Sequence, residues 1–245
     1  MRILIAGDTH GSLPWALFLL DKATEFEADR IFVLGDFGYW PRWGDGRDFL
    51  FKLDHQLRKA DVPLMWLDGN HEDHKALDEI VKGTRELVKI SDWITYAPRG
   101  CLVQWDDLRC VTIGGAFSID RSMRVLGKSW FEQEVISDED VEHAISHGTA
   151  DILLSHDSPL SIPLASHHLN IHDEVEIPCF ENRSRVEKAA GLLEVSRIYH
   201  GHQHYAHRTP VKIRDRWVQV EGLANDHQMG AWTILDTLDS LKLNM

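Results

Sequence analysis

The sequence predicts an α/β fold, one domain of two sheets with helices outside. Three observations carry this. The first 81 residues alternate apolar strand-like runs with helical patterns, the mark of a parallel sheet. Short strands follow one another from residue 93 onward. No repeat, low-complexity tract or linker divides the 245 residues, a length at which α/β chains are routinely one domain.

Residues 2–6 read as a buried strand, and 13–27 as a helix with Leu13, Leu17, Leu20 and Ala23 at helical spacing. Residues 30–34 form a second strand, and 48–59 a helix with Leu50, Leu53 and Leu57 on one face. A third strand spans 62–67 and a short helix 74–81. Strands at 93–96, 102–105 and 109–113, broken by Pro98-Arg99-Gly100 and Asp106-Asp107, suggest an antiparallel patch. Asp138 reads as the N-cap of a helix over 139–146. A strand at 152–155, a helix at 185–195 with Arg183, Arg185 and Lys188 at its solvated start, and a strand at 197–199 follow. Strands at 211–213, 217–221 and 231–236 read as a closing meander.

Composition bounds the function. Lys and Arg number 26 against 39 Asp and Glu, a formal charge of −13, which repels polyanions. Duplex nucleic acid and anionic membranes are therefore not expected as partners, and no basic patch offsets the charge. No apolar run is long enough to span a bilayer. Cys101, Cys110 and Cys179 form no paired motif, which fits core packing and a reduced, cytoplasmic setting. Histidine, with 15 copies, is the unusual feature.

Their placement is informative. Gly7-Asp8-Thr9-His10-Gly11, Gly35-Asp36-Phe37-Gly38, Gly69-Asn70-His71-Glu72, His156-Asp157 and His200-Gly201-His202-Gln203-His204 each follow a strand. In open α/β sheets the carboxyl ends of strands form the ligand crevice, so five strand ends deliver donors to one place. Glycine at 7, 35, 69 and 201 permits a sharp turn or a close approach. An Asp/His/Asn set without thiolate suits manganese, iron, zinc or cobalt. It holds too many donors for one tetrahedral site, whereas a carboxylate bridging two ions would use them all.

Taken together, Asp8-x-His10, Gly35-Asp36, Gly69-Asn70-His71-Glu72, His156 and Gly201-His202-x-His204 resemble the calcineurin-like metallophosphoesterase superfamily, in its order, over residues 7–204. The resemblance implies a two-sheet β-sandwich flanked by helices, with the metal site at strand carboxyl ends, as a single domain over 1–245. It implies that Asp8, His10 and His204 hold a first ion, that Asp36 bridges, and that Asn70, His156 and His202 complete a second. Manganese is expected foremost, with iron, zinc, cobalt or nickel as alternatives. A hydroxide shared by the ions would attack phosphorus, since coordination brings the pKa of water down to about 7. His71 would stay off the metals and protonate the leaving oxygen.

One departure bears on substrate. The superfamily's protein phosphatases continue their second motif as Gly-Asp-x-x-Asp-Arg-Gly, whose Asp pairs with the catalytic histidine and whose Arg grips phosphate. Tyr39 and Trp40 occupy those positions. A dianionic monoester gains from a guanidinium fork, whereas two metals can neutralise a monoanionic diester. Small nucleotide-like diesters such as cyclic nucleotides are therefore the expected substrates. Arg42, Arg121 and Arg124 are candidate substitute cations. A phosphomonoesterase or a dinucleoside polyphosphate hydrolase is the enzyme alternative. A protein-binding scaffold, which the superfamily's retromer subunit resembles, is the alternative of another class, although His71 and all metal positions are present. The aromatic run 37–43 either stacks a base, packs on helices or serves a homodimer. The stretch 160–182, with His167, His168 and His172, reads as a surface excursion.

Overall fold

The computed structural model describes residues 1–163 and 173–238. In chain order the elements are β1 (Arg2–Ala6), α1 (Leu13–Glu25), β2 (Arg30–Leu34), α2 (Gly44–Ala60), β3 (Leu64–Leu67), α3 (His74–Val81), β4 (Val88–Lys89), β5 (Ile94–Tyr96), β6 (Leu102–Trp105) and β7 (Leu108–Ile113). There follow α4 (Asp138–Ser146), β8 (Ile152–Ser155), α5 (Asp173–Leu193), β9 (Arg197–His200), β10 (His207–Ile213), β11 (Arg216–Gly222) and β12 (Trp232–Asp236). The strands form two six-stranded sheets, ordered β12-β1-β2-β3-β5-β4 and β10-β11-β9-β8-β7-β6.

The two sheets share a plan. Each has four parallel strands, with an antiparallel strand added at either edge. Strand alternation builds the sandwich. Ile3, Ile5, Phe32, Leu34, Met65 and Leu67 face the second sheet and meet Trp105, Cys110, Ile152, Leu154 and Tyr199 in one cluster. Leu4, Ala6, Ile31, Val33, Leu64 and Trp66 face the other way, onto α1, α2 and α3. A third cluster buries α4 and α5 against the second sheet through Val141, Ala144, Val186, Ala189 and Leu193. Cys101 and Cys110 are core residues of the sandwich. Because the parallel strands of each sheet run together, their carboxyl ends collect along one edge, where the histidines and carboxylates lie.

Several expectations need correction. The strand at 94–96 is no part of an antiparallel patch with its successors. It pairs parallel with β3 in the first sheet, and only β6 and β7 form the expected hairpin. The last three strands do not make one meander. β10 and β11 pair in the second sheet, whereas β12 crosses to lie antiparallel to β1. Helix α4 is capped one residue earlier than expected, by Ser137 in a capping box with Asp140. Helix α5 begins at Asp173 and not near 185, and Arg183 is buried. Of the stretch 160–182, residues 164–172 lie outside the described residues, and the remainder includes the first half of α5. Among the described residues no helix is long and apolar enough to cross a membrane.

Candidate metal centre

The loops after β1, β2, β3, β8 and β9 bring the expected donors together. Asp8, Asp36, Asn70 and His156 are buried, while His10, His202 and His204 are partly exposed. Asp8, His10 and His204 form one group whose donor atoms lie within 4.8 Å of one another, and Asp8, Asp36 and His156 form a second. Asp8 belongs to both groups, and Asp36, a member of the second, also approaches a histidine of the first. Asp36 Oδ2 lies 3.7 Å from His10 Nε2 and its Oδ1 3.5 Å from His156 Nε2. Asn70 Oδ1 is 3.0 Å from His156 Nε2. The His202 ring lies 5.0 Å from that of His156, and the His202 backbone N–H donates to Asp8 Oδ1 at 3.0 Å.

The arrangement fits divalent cations on three counts. Asp8 Oδ2 is buried and takes no well-aligned hydrogen bond, although His204 Nε2 is 2.9 Å away, so a cation between them would satisfy both. His156 Nδ1 lies 2.7 Å from the Leu34 carbonyl. If that nitrogen carries the proton, Nε2 turns a lone pair toward Asn70 Oδ1 and Asp36 Oδ1, as metal-ligating histidines do. The third count is space. A Cβ on Gly201 would meet Asp8 Oδ1 at 2.2 Å, one on Gly69 would meet Asp36 Oδ1 at 2.1 Å, and one on Gly35 would meet His156 Nδ1 at 2.2 Å. Glycine is therefore required behind three of the donors.

Backbone strain sits elsewhere than expected. Gly35 has positive φ, but His10, Asp36, His202 and His204 also occupy the left-handed region, with φ of 47°, 45°, 60° and 55°. Such conformations cost energy in non-glycine residues and cluster at functional sites. Four donor positions thus carry strain that the surrounding hydrogen bonds must hold in place.

The buried carboxylates and the imidazoles around them favour one another's charged forms. Burial alone would push the two carboxyls up. The imidazoles of His204 and His156 nevertheless hold Asp8 low, and those of His156, His10 and His71 hold Asp36 well below the usual range. Burial lowers His10, yet Asp36, Asp8 and Asp226 outweigh it and raise its pKa to about 10. For His71 burial wins, aided by the Arg124 charge and opposed by Asp36, and its pKa falls.

His71 is held by its backbone. Its N–H donates to Asp36 Oδ1 at 2.8 Å and its carbonyl accepts from Trp40 Nε1 at 2.8 Å. The ring borders a cleft of ≈ 550 Å³ whose floor includes Asp36, Asn70, His202 and His204. This decides the aromatic run. Phe37 and Tyr39 are buried and pack on Trp66, and Trp40 anchors the His71 loop, so none of these three stacks a base. Trp43 stands at the N-cap position of α2 without a side-chain cap bond and is 53% exposed.

The three candidate arginines are placed as well. Arg42 makes a two-pronged pair with Asp73, its Nη2 2.6 Å from Oδ1. Arg121 lies over the Phe117 ring at 4.6 Å. Arg124 donates to Ser118 Oγ at 2.7 Å, Glu134 Oε1 at 3.0 Å and the Asn70 carbonyl at 3.3 Å. Asp73 also caps α3 by accepting from Ala76 N–H, and the buried His74 bonds the Gly69 carbonyl; both build the start of the helix.

Over residues 1–206 the sequence matches the family described as calcineurin-like phosphoesterase. The chain belongs to that family. Solved structures agree on the fold. A dimetal phosphatase from Danio rerio superposes with a TM-score of 0.60 at 14% identity, covering 96% of this chain and 91% of that one. TT1561 of Thermus thermophilus superposes with a TM-score of 0.51 at 12% identity, covering 91% and 89%. An archaeal phosphodiesterase, at a TM-score of 0.46 and 16% identity over 98% and 96%, is too distant to carry an argument. No curated protein matches by sequence.

Sequence reasoning missed three supporting residues, Asp226, Ser118 and Glu134, and gave Glu72 of the third motif no role of its own. Asp226 Oδ1 lies 3.0 Å from His10 Nδ1, the carboxylate partner that orients a metal-binding imidazole. It follows β11, a sixth strand whose carboxyl end points the same way, because β11 runs parallel to β9. The same strand-end rule would have found it had 217–221 not been read as part of a meander. Glu72 accepts from Gly38 N–H at 3.2 Å and Gly69 N–H at 2.7 Å, tying two ligand loops together. Burial and the Asp36 charge push its pKa to about 8. Ser118 and Glu134 belong to a segment with no motif, and only the folded chain brings them beneath Asn70.

Proposed function

We propose that this protein is a metal-dependent phosphodiesterase acting on small nucleotide-like diesters, with manganese as the favoured ion and the cytoplasm as its setting. The whole chain, 1–245, is read as one catalytic domain. Asp8, His10 and His204 would hold one ion, Asn70, His156 and His202 the other, and Asp36 would lie between. The observation that carries the diester reading is the fate of the cations. Tyr39 and Trp40 fill the place of an Asp-Arg pair, and Arg42, Arg121 and Arg124 are each committed to a partner in the fold. With Arg42 and Arg124 held by carboxylates and Arg121 over an aromatic ring, a monoanionic phosphate is the better match.

Two divalent ions, when bound, supply a nucleophile at neutral pH and neutralise charge on phosphate. The chain's own residues do the rest. Asp36 fixes the His71 backbone while facing both groups of donors, so the proton donor and the metal positions are set by one side chain. His71 would pass a proton to the leaving oxygen as its bond to phosphorus breaks, in the fraction of molecules whose ring is protonated, since burial lowers its pKa. Trp40 keeps that loop from shifting. Asp226 and Leu34 hold the rings of His10 and His156.

The test is a paired assay on metal-stripped protein resupplied with manganese, with Asp8→Ala as the blank. Turnover of bis-p-nitrophenyl phosphate is expected to exceed that of p-nitrophenyl phosphate by about tenfold or more. The reverse preference would move the protein to the monoesterases. Two bound ions with no turnover of either would favour the scaffold alternative.

A further inference from the structure

The cleft above the metal site has two kinds of wall. Its floor is the donor set already described, and one side is lined by Ile119, Leu160 and Phe180. Ile119 is 48% exposed and Phe180 55%. Large apolar side chains left open beside a polar catalytic floor mark a binding surface more often than chance exposure. Asp120 and Glu176 line the same cleft. Among the described residues lining it, Arg183 is the one arginine or lysine, and it is tied to the chain. Its Nε donates to Ser158 Oγ at 3.0 Å, and its Nη2 to the carbonyls of Pro159 at 3.0 Å, Leu160 at 3.2 Å and Ile162.

From this we infer that the cleft reads the organic substituent of the diester as a flat, uncharged ring system bearing hydroxyl or amino groups, and that it rejects a second phosphate. The inference rests on the phosphodiesterase reading and adds what that reading leaves open. Phe180, on the first half of α5, is the stacking face, and Ile119, on the segment after β7, adds apolar surface to the same cleft. Stacking on an aromatic ring is sequence-tolerant and worth about tenfold to a hundredfold in affinity. Glu176, and Asp120 where its 3.4 Å contact with Arg124 leaves an oxygen open, accept from hydroxyl or amino donors, and both carboxylates repel additional phosphate. A nucleoside satisfies these terms, whereas a polyphosphate bridge does not. Helix α5 is thus a specificity element.

Manganese-loaded protein would be assayed on two diesters with the same leaving group, thymidine 5′-(p-nitrophenyl phosphate) and methyl p-nitrophenyl phosphate. The ratio of their kcat/KM values reads the subsite, while turnover of the methyl ester reads the diesterase activity separately. In the wild-type protein the ratio is expected at about ten or higher. Phe180→Ala should lower it by about tenfold, and Phe180→Tyr should keep it. Adding a 3′-phosphate to the thymidine probe should cut its kcat/KM about tenfold, and the double variant Asp120→Asn, Glu176→Gln should recover much of that loss. A wild-type ratio near one, an equal loss on both probes in Phe180→Ala, or tolerance of the 3′-phosphate would overturn the inference. If neither diester turns over, the activity reading fails first. The subsite then stands or falls on calorimetric binding of thymidine 5′-methyl phosphate, which Phe180→Ala must weaken about tenfold.

Discussion

Asn70 Nδ2 donates to Ser118 Oγ at 2.9 Å, and this one bond decides which end of the amide faces the metal site. With nitrogen turned to Ser118, Oδ1 is left 3.0 Å from His156 Nε2, where a cation can take both. Ser118 is itself held by Glu134 and Arg124, so a segment remote from every motif sets a donor's orientation.

Ser118→Ala should therefore weaken one ion and spare the other. Loss of a partner behind a metal ligand typically costs about 10- to 100-fold in affinity. Calorimetric manganese titration would show one site weakened to that degree; two sites at wild-type affinity would remove the orienting role.

Asp36→Asn is expected to weaken both ions together, because its two oxygens face histidines of both groups. The measurement is metal stoichiometry after dialysis, by elemental analysis. Full double occupancy in the variant would contradict the bridging position.

The His71 backbone N–H binds Asp36, while its ring, 6.2 Å from that of His10, belongs to neither donor group. His71→Ala should keep two ions and lose about 10²- to 10⁴-fold in kcat, the usual contribution of a positioned proton donor. Elemental analysis and steady-state kinetics on one preparation settle it, and loss of an ion would make His71 a ligand instead.

Gly69 has no room for a methyl group, since a Cβ would meet Asp36 Oδ1 at 2.1 Å and Asp36 N at 2.4 Å. Gly69→Ala should displace Asp36 and abolish tight binding of both ions. If the variant folds, by circular dichroism, and binds two ions as the wild type does, the cradle argument is wrong.

Asp140 predicts a pH effect on stability away from the metal site. Burial would raise its pKa, but Arg99, Arg85 and the Ser137 cap hold it down at about 2. A carboxyl depressed from 3.8 to about 2 contributes stability above pH 4 and loses it as pH falls toward 2, about 2 kcal/mol in all. Asp140→Asn should cost about that much at pH 7 and flatten the acid limb between pH 4 and 2. Urea midpoints at both pH values measure it, and an unchanged limb would assign the acid sensitivity to other carboxylates.

What the sequence determined by itself was whatever local pattern can encode. Strand periodicity located β1, β2, β6 and β8 at their observed bounds, and glycine-flanked donors after strands named the residues that the fold brings together. These signals are local because a strand's alternation and the turn after it depend on neighbours a few residues apart. Only the tertiary structure decided which sheet each later strand joined, since a short apolar strand at 94–96 or 232–236 pairs equally well by pattern with either sheet. The same holds for Asp226, Ser118 and Glu134. Their contacts with His10 and Asn70 span 216 and 48 residues, and Glu134 meets Ser118 across 16, and no spacing rule predicts a partner at such distances. The aromatic run shows the limit most clearly. Tyr39 and Trp40 look like ligand-stacking residues on paper, but burial against Trp66 and the bond to the His71 carbonyl made them the scaffold of the site.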